Sequence, residues 1–142
     1  RIMIDTNILF FSPAFPNGRT AKAFTCCINE HTLVVCSYVI DELKKVLSKK
    51  RPQSLRDLDA FLSSISFEYV YTPEKISHDL FSIRDPKGYP VLYTAIVENV
   101  DILLTGDSDF KATGIEHPEI LTPAEFLKDF KHYICDKNEG AD

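Results

Sequence analysis

Three acidic residues stand where apolar segments of the chain end or pass into a helix. Asp5 follows the apolar residues 2–4, and Asp107 follows the apolar segment 102–106. Glu42 lies about one turn into an amphipathic segment that comes after a second β-branched run. If these runs are parallel strands, their carboxyl ends meet at one edge of the sheet, because loops and helix N-termini gather there. We therefore expect the three carboxylates to lie near one another.

Carboxylates that lie together repel each other, and burial raises their pKa values unless a cation neutralises them. Ligand sets made only of oxygen select hard ions, which makes Mg²⁺ or Mn²⁺ the expected cofactor. Such an ion activates or orients a water molecule and stabilises charge on a phosphate during in-line displacement. The acids therefore predict metal-dependent phosphate chemistry.

Each acid also has a purely structural interpretation. An Asp that follows a strand is often a helix N-cap or a turn residue. Glu42 has the composition and position of a solvated helix residue, and Asp109 suits an N-cap or turn role in the segment DSDF. For any one acid the structural interpretation is at least as common as the functional one. It is their joint placement that favours a metal site.

Hydrophobic periodicity predicts strands that alternate with helices. The predicted strands cover residues 2–5, 32–37, 67–71, 101–105 and 119–121. The predicted helices cover residues 20–29, 38 to about 52, 55–65, 76–83 and 91–97, and a last helix is capped by Thr122, Pro123 and Glu125. This order predicts a three-layer α/β/α fold around a central, mostly parallel sheet. We expect one domain over residues 1–135 and a frayed tail over residues 136–142.

Composition restricts the class of protein. The chain has 142 residues, 44% of them hydrophobic and 26% charged, as in soluble globular domains. A net charge of −5 argues against a protein that coats nucleic acid over its whole surface, so any such site must be local. The four cysteines lack metal-site spacing and are interpreted as buried or idle thiols. Without a long apolar run or a signal peptide, we expect a cytoplasmic protein with no membrane contact.

Taken in order, these segments resemble the PIN-domain family, and within it the VapC-like toxins of toxin-antitoxin systems. The opening IMIDTN resembles the first motif of the family, and SYVIDEL resembles the second. The segment RDPKGYPVLYTAIVENVDILLTGDSDF resembles the third and fourth motifs, and ILTPAEFL resembles the closing segment of the toxin branch. Each motif is weak by itself, but their shared order and spacing over nearly the whole chain are specific.

The resemblance implies roles for individual residues. Metal-binding acids are implied at Asp5, Glu42 and Asp107, with Asp109 as an auxiliary acid. Polar residues that orient ligands or water are implied at Thr6, Asn7 and Thr105. Family members hydrolyse RNA and leave the phosphate on the downstream fragment, toxin members are neutralised by an antitoxin, and many form homodimers. The resemblance thus predicts a metal-dependent endoribonuclease with a cognate antitoxin and a homodimeric state.

One position departs from the pattern of the family. The third motif commonly carries a second Asp two residues after its Pro, and here that position is Gly88. Asp85 is retained before Pro86, where it either reaches the metal site or forms an Asx turn with the proline. Fewer carboxylates lower the affinity for a hard cation. A degenerate PIN domain that binds RNA or a protein without cutting is therefore the alternative function.

Two further sets of residues have open interpretations. Basic residues that suit an RNA backbone, or simply a solvated surface, are Lys44, Lys45, Lys49, Lys50, Arg51, Arg84 and Lys87. Aromatic residues that suit base stacking, core packing or a dimer interface are Phe10, Phe11 and Phe15. A phosphohydrolase with an aspartyl nucleophile is disfavoured, because IDTN lacks a second Asp two residues after the first.

Overall fold

The structure, a computed structural model, describes residues 1–14 and 17–130. Residues 131–142, which include the predicted tail and Cys135, lie outside the described part. The strands are β1 (Ile2–Ile4), β2 (Leu33–Cys36), β3 (Glu68–Val70), β4 (Ile102–Leu104) and β5 (Glu119–Leu121). The helices are α1 (Thr6–Ala14), α2 (Arg19–Glu30), α3 (Ser37–Lys50), α4 (Ser54–Ser64), α5 (Gly88–Val97), α6 (Ser108–Lys111) and α7 (Pro123–Asp129).

The strands form one parallel sheet in the order β3-β2-β1-β4-β5. The chain runs outward from β1 through β2 to β3 and then crosses back to place β4 on the other side of β1. Ile2 of β1 accordingly pairs with Leu33 on one side and with Ile102 on the other. Connections that leave in opposite directions open a crevice outside the carboxyl ends of the two strands concerned. The crevice of this sheet lies between β1 and β4.

The core lies around the three central strands. Every residue of β1, β2 and β4 is buried, as expected for parallel strands that carry helices on both faces. The predicted three-layer α/β/α class is therefore confirmed, and the sheet is parallel throughout. The described cysteines Cys26, Cys27 and Cys36 are buried and form no disulfide with one another, in agreement with their interpretation as buried thiols. No helix in the described residues is both long and apolar enough to cross a membrane.

Helix α1 was not predicted from the sequence. Its segment TNILFFSPA is apolar almost all round, so it has no polar face from which a helical period can be recognised. Asp5 begins the helix, because its Oδ1 accepts a hydrogen bond of 3.1 Å from the backbone N–H of Ile8. Ile8 and Leu9 are buried in the hydrophobic core. The acid that ends β1 therefore also caps the helix that follows.

The predicted helix over residues 76–83 is wrong, since this stretch is an irregular loop. Its backbone is held by side chains from α5: the Tyr89 hydroxyl donates to the Ser77 carbonyl at 2.5 Å and accepts from the Leu80 N–H at 3.4 Å. The rings of Phe81 and Tyr89 stack with centroids 4.1 Å apart. Helix α5 begins at Gly88, earlier than the predicted residue 91, which lets Tyr89 reach the loop. Tertiary contacts have thus overridden a local helical pattern.

Tyr89→Phe is expected to lower the free energy of unfolding by about 1 to 2 kcal/mol, because it leaves two backbone groups of this loop without their partner. Urea denaturation measures the change. Tyr93→Phe is the matched control, since the Tyr93 hydroxyl makes no hydrogen bond within the described residues, and it should shift stability by less than about 0.5 kcal/mol. Equal effects in the two variants would show that Tyr89 contributes only its ring.

Candidate metal centre

A small cavity of about 80 Å³ opens at the crevice between β1 and β4. Four acids line it: Asp5, Glu42, Asp85 and Asp107. Polar groups are added by Thr6, Asn7 and Lys87, and an apolar wall is formed by Gly88, Val91 and Phe110. The predicted acids thus meet at the predicted edge of the sheet, although they come from four separate segments of the chain.

Asp5 is the most buried of these acids, with only 5% of its surface exposed. Besides capping α1 through Oδ1, it accepts a short hydrogen bond at Oδ2 from the Thr105 hydroxyl. Burial raises the pKa of the Asp5 carboxyl to about 6, and the charge of Asp107 adds to the rise, while the hydrogen bonds from Thr105 and Ile8 oppose it. A cation beside Asp5 would offset the cost of its buried charge.

Thr105 connects Asp5 and Asp107 at the crevice between β1 and β4. Its hydroxyl donates to Asp5 and accepts the backbone N–H of Asp107 at 3.1 Å. Asp107 in turn caps α6, since its Oδ1 accepts from the Asp109 N–H at 2.9 Å. The structural interpretation of Asp5 and Asp107 as N-caps is therefore confirmed, and the same capping fixes both carboxylates at the cavity.

Glu42 reaches the cavity from the second turn of α3. Its Oε2 accepts a hydrogen bond of 2.6 Å from the hydroxyl of Thr6, the first residue of α1. Tyr38, one turn earlier on α3, was not predicted as a site residue. Burial raises the pKa of the Tyr38 phenol, and the nearby charges of Glu42 and Asp85 raise it further. The spacing of four residues between Tyr38 and Glu42 is the only sequence signal that could have identified it.

Asp85 both forms the expected turn and lines the cavity. Its Oδ1 accepts from the Lys87 N–H at 3.0 Å across Pro86, which is an Asx turn. The turn brings Lys87 and Gly88 to the same cavity. Space at Gly88 is limited, because a Cβ there would lie 2.7 Å from Ile83 Cδ1 and 3.2 Å from Phe110 Cζ. The loop thus presents one acid where the family pattern expects two.

The remaining predicted residues occupy different positions. Asn7 lines the cavity, and its backbone N–H is directed to the carboxylate of Asp5. Asp109 lies outside the cavity lining and is bound instead by Arg84, whose Nε lies 3.0 Å from each of its carboxylate oxygens. Asp109 therefore has an ion-pair partner rather than a place among the cavity acids.

A larger groove of about 240 Å³ lies elsewhere, between α1, α3 and α4. Its walls are mainly apolar, including Leu9, Leu43 and Leu58, and its charged lining residues in the described part are Arg51 and Asp57. The described residues bring no cluster of groups able to do phosphate chemistry to this groove, so the smaller acidic cavity is the better candidate for a reactive site. Phe10 lines this groove and packs against the core, whereas the side chains of Phe11 and Phe15 lie outside the described part.

The oxygen donors of the cavity suit a hard divalent cation, but they are not arranged as a closed ligand cage. No three His, Cys, Asp or Glu side chains in residues 1–14 and 17–130 converge closely enough to hold one ion directly. Mg²⁺ commonly keeps several waters and uses one or two carboxylates plus substrate phosphate. The buried Asp5 and the half-buried Asp107, whose charge acts on Asp5, fit that partial shell. The residues present thus fit a hydrated cation better than a fully ligated one.

Comparisons with known proteins agree with this fold. A family model described as the PIN domain matches residues 1–109. The crystal structure of VapBC2 from Rickettsia felis, bound to a DNA fragment from its promoter, contains a chain that is 20% identical, with a TM-score of 0.63 over 85% of this chain and 97% of that one. Because the sequence identity is only 20%, this similarity shows a shared fold and nothing further. No curated protein sequence matches significantly.

Proposed function

The chain belongs to the PIN-domain family, and we propose that it is a metal-dependent endoribonuclease that hydrolyses RNA phosphodiester bonds in the cytoplasm. The observation that carries the proposal is that four acids line one cavity at the crevice between β1 and β4, namely Asp5, Glu42, Asp85 and Asp107. These acids repel one another, and burial raises the pKa of Asp5 to about 6. A bound cation would offset both costs, so the cluster favours cation binding.

Asp5 and Asp107 would hold Mg²⁺ or Mn²⁺, with Glu42 reaching it through water, and the ion would supply charge neutralisation at the phosphate and activation of water. Other residues keep this arrangement in place. Thr105 fixes Asp5 against the backbone of Asp107, and Thr6 fixes the carboxylate of Glu42. Pre-organised side chains of this kind reduce the rearrangement needed when substrate binds.

We further propose that the nuclease is the toxin of a toxin-antitoxin pair and forms a homodimer. The support is the family resemblance, together with a fold shared with a chain of the VapBC2 complex. A reading frame for a small antitoxin beside the gene would support the toxin role. Co-purification of its product with this chain would test the partnership directly.

The proposed reaction is tested by incubating the purified protein with single-stranded and structured RNA in Mg²⁺, in Mn²⁺ and in EDTA. We expect cleavage only with metal, and a 5′-phosphate on the downstream fragment, because water attacks the phosphorus and the 3′-oxygen of the upstream fragment leaves as a hydroxyl. Products that end in a 2′,3′-cyclic phosphate, or cleavage that survives EDTA, would assign the activity to a contaminating ribonuclease.

Two observations favour a second candidate function, a PIN domain that binds RNA or a protein without cutting. Gly88 removes one acid from the cavity, and within the described residues no three acids converge on one point. Calorimetry separates the candidates: the degenerate form should show no heat of binding with millimolar Mg²⁺ or Mn²⁺ while its binding of RNA or of a protein partner stays intact.

A further inference from the structure

Arg84 and Asp109 form an ion pair beside the acidic cavity. The Nε of Arg84 lies 3.0 Å from both carboxylate oxygens of Asp109, and its Nη2 lies 3.0 Å from Oδ2. The Asp109 side chain is only 13% exposed, whereas that of Arg84 is 82% exposed. The largely buried Asp109 carboxylate therefore holds Arg84 in place, and the Arg84 side chain extends into solvent.

This ion pair connects the irregular loop to the edge of the sheet at which the cavity acids lie. The N–H of Asp109 is bonded to Asp107, so the residue that holds Arg84 is itself held by an acid of the cavity. The hydrogen bond and the charge of Asp109 raise the pKa of the Arg84 guanidinium, and the charges of Asp107 and Asp85 raise it further. Arg84 therefore stands within the electrostatic reach of the cavity without being part of its lining.

The pair leaves much of the guanidinium available. Arginine has five N–H donors, and the contact with Asp109 uses only the edge formed by Nε and Nη2. Within the described residues Nη1 makes no hydrogen bond. Lys87, on the same loop, lines the cavity and forms no ion pair with a described residue. One cation thus lines the acidic cavity and a second lies beside it, on a protein with a net charge of −5.

An RNA backbone needs such cations, because the acids of the cavity and the overall charge repel phosphate. An exposed ion pair contributes little to the free energy of unfolding. The main effect of the contact with Asp109 is therefore to fix the position of the Arg84 guanidinium. Arg suits this task because its planar fork binds two oxygens of a phosphate.

We propose that Arg84 binds a phosphate of single-stranded RNA beside the cavity, and that Asp109 is a positioning residue for Arg84 rather than an auxiliary metal acid. This inference rests on the proposed action on RNA. It assigns to Asp109 a role that differs from the one implied by the family resemblance. It also makes the loop that carries Arg84 and Lys87 the part of the surface that recognises the backbone.

The test measures binding of a fluorescein-labelled single-stranded RNA by anisotropy, in Mg²⁺ and over a series of salt concentrations. All variants carry Asp5→Asn, so that the RNA stays intact. Arg84→Gln should weaken binding about 5- to 10-fold and reduce the slope of log K against log salt by about 0.7, the value for one phosphate contact to a single strand. Lys128→Gln removes the same charge from the last turn of α7, away from the cavity, and should change neither quantity beyond about twofold.

Asp109→Asn distinguishes positioning from metal binding. Loss of a negative charge alone would tighten RNA binding, so weakening of about 2- to 5-fold indicates that Arg84 has lost its anchor. The Arg84→Gln, Asp109→Asn double variant should then bind no more weakly than Arg84→Gln alone. Additive losses, or an Asp109→Asn variant that changes only Mg²⁺ affinity, would overturn the positioning role.

Failure of the inference differs from failure of the proposed function. If the parent protein cleaves RNA but Arg84→Gln binds with unchanged affinity and salt slope, only the inference is overturned. If the Asp5→Asn protein binds RNA through Arg84 but the parent never cleaves, the phosphate site stands and the nuclease proposal fails. Absence of RNA binding by the parent and by the Asp5→Asn protein would refute both.

Discussion

Asp5→Asn is expected to reduce RNA cleavage by at least about 100-fold and, at neutral pH, to stabilise the metal-free protein. We expect loss of activity because the substitution removes the buried carboxylate that is bonded to Thr105 and lies near the charge of Asp107. The gain in stability follows from the same burial, which makes the charged form of Asp5 unfavourable in the folded state. The side chain proposed to hold the metal is therefore one whose charge destabilises the metal-free fold at neutral pH.

The pH dependence of stability has a definite sign. Folding raises the pKa of the Asp5 carboxyl from 3.8 to about 6, so the folded protein binds more protons than the unfolded chain between these values. The contribution of Asp5 to the free energy of unfolding is therefore greatest below pH 3.8 and is lost as the pH rises through about 6. Asn lacks this titration and keeps an oxygen for the Ile8 N–H, but it must rearrange its contact with Thr105. We expect a net gain of about 1 to 2 kcal/mol at pH 7.

Thermal and urea unfolding in EDTA between pH 4 and pH 8 measure this effect for both proteins. The separation between the two curves should grow between about pH 4 and about pH 6 and stay constant at higher pH. Asp59→Asn is the matched control: Asp59 is exposed on α4 and outside the cavity, so its loss should change neither cleavage nor the shape of the curve. If Asp5→Asn and the parent keep the same separation at every pH, the carboxyl is ionised throughout and the assigned pKa is wrong.

Gly88→Asp should strengthen binding of Mg²⁺ or Mn²⁺ about 10-fold and raise the rate of cleavage, because it adds a fifth carboxylate to the cavity. The new Cβ would stand 2.7 Å from Ile83 Cδ1, the end of a flexible side chain that can turn away. The contact of 3.2 Å with the buried Phe110 ring is harder to relieve. We therefore expect a loss of about 1 kcal/mol of stability without metal, partly offset by the favourable position of an acid in the first turn of α5.

Gly88→Asn separates charge from shape, since it has nearly the same volume and the same clashes. It should lose similar stability and gain no metal affinity, as measured by calorimetry. A rise in affinity in both variants would mean that the backbone, not the acid, limits binding. If Gly88→Asp binds metal more tightly but still does not cut RNA, the cavity lacks more than one ligand, and the non-catalytic candidate function gains support.

Much of the fold could be predicted from the sequence because its signals are local. Strands such as Leu33–Cys36 are short apolar runs, and α3 has an unambiguous amphipathic period. The wrong helix at residues 76–83 and the missed α1 have different causes. At residues 76–83 the hydrogen bonds of Tyr89 outweigh a local helical period, whereas the sequence of α1 is too uniformly apolar to show a period.

Residue type and spacing were sufficient to predict that Asp5 and Asp107 follow central strands, and the resemblance to the PIN family identified Gly88 as a departure. The position of β1 beside β4, which brings Asp5 and Asp107 to one cavity across 102 positions of the chain, follows from the packing of the sheet. Only the tertiary structure decided that Asp85 faces this cavity while Asp109 is bound to Arg84. Residue type and spacing specify strands and caps, whereas strand order and the partner of a surface carboxylate depend on packing between segments that are distant in sequence.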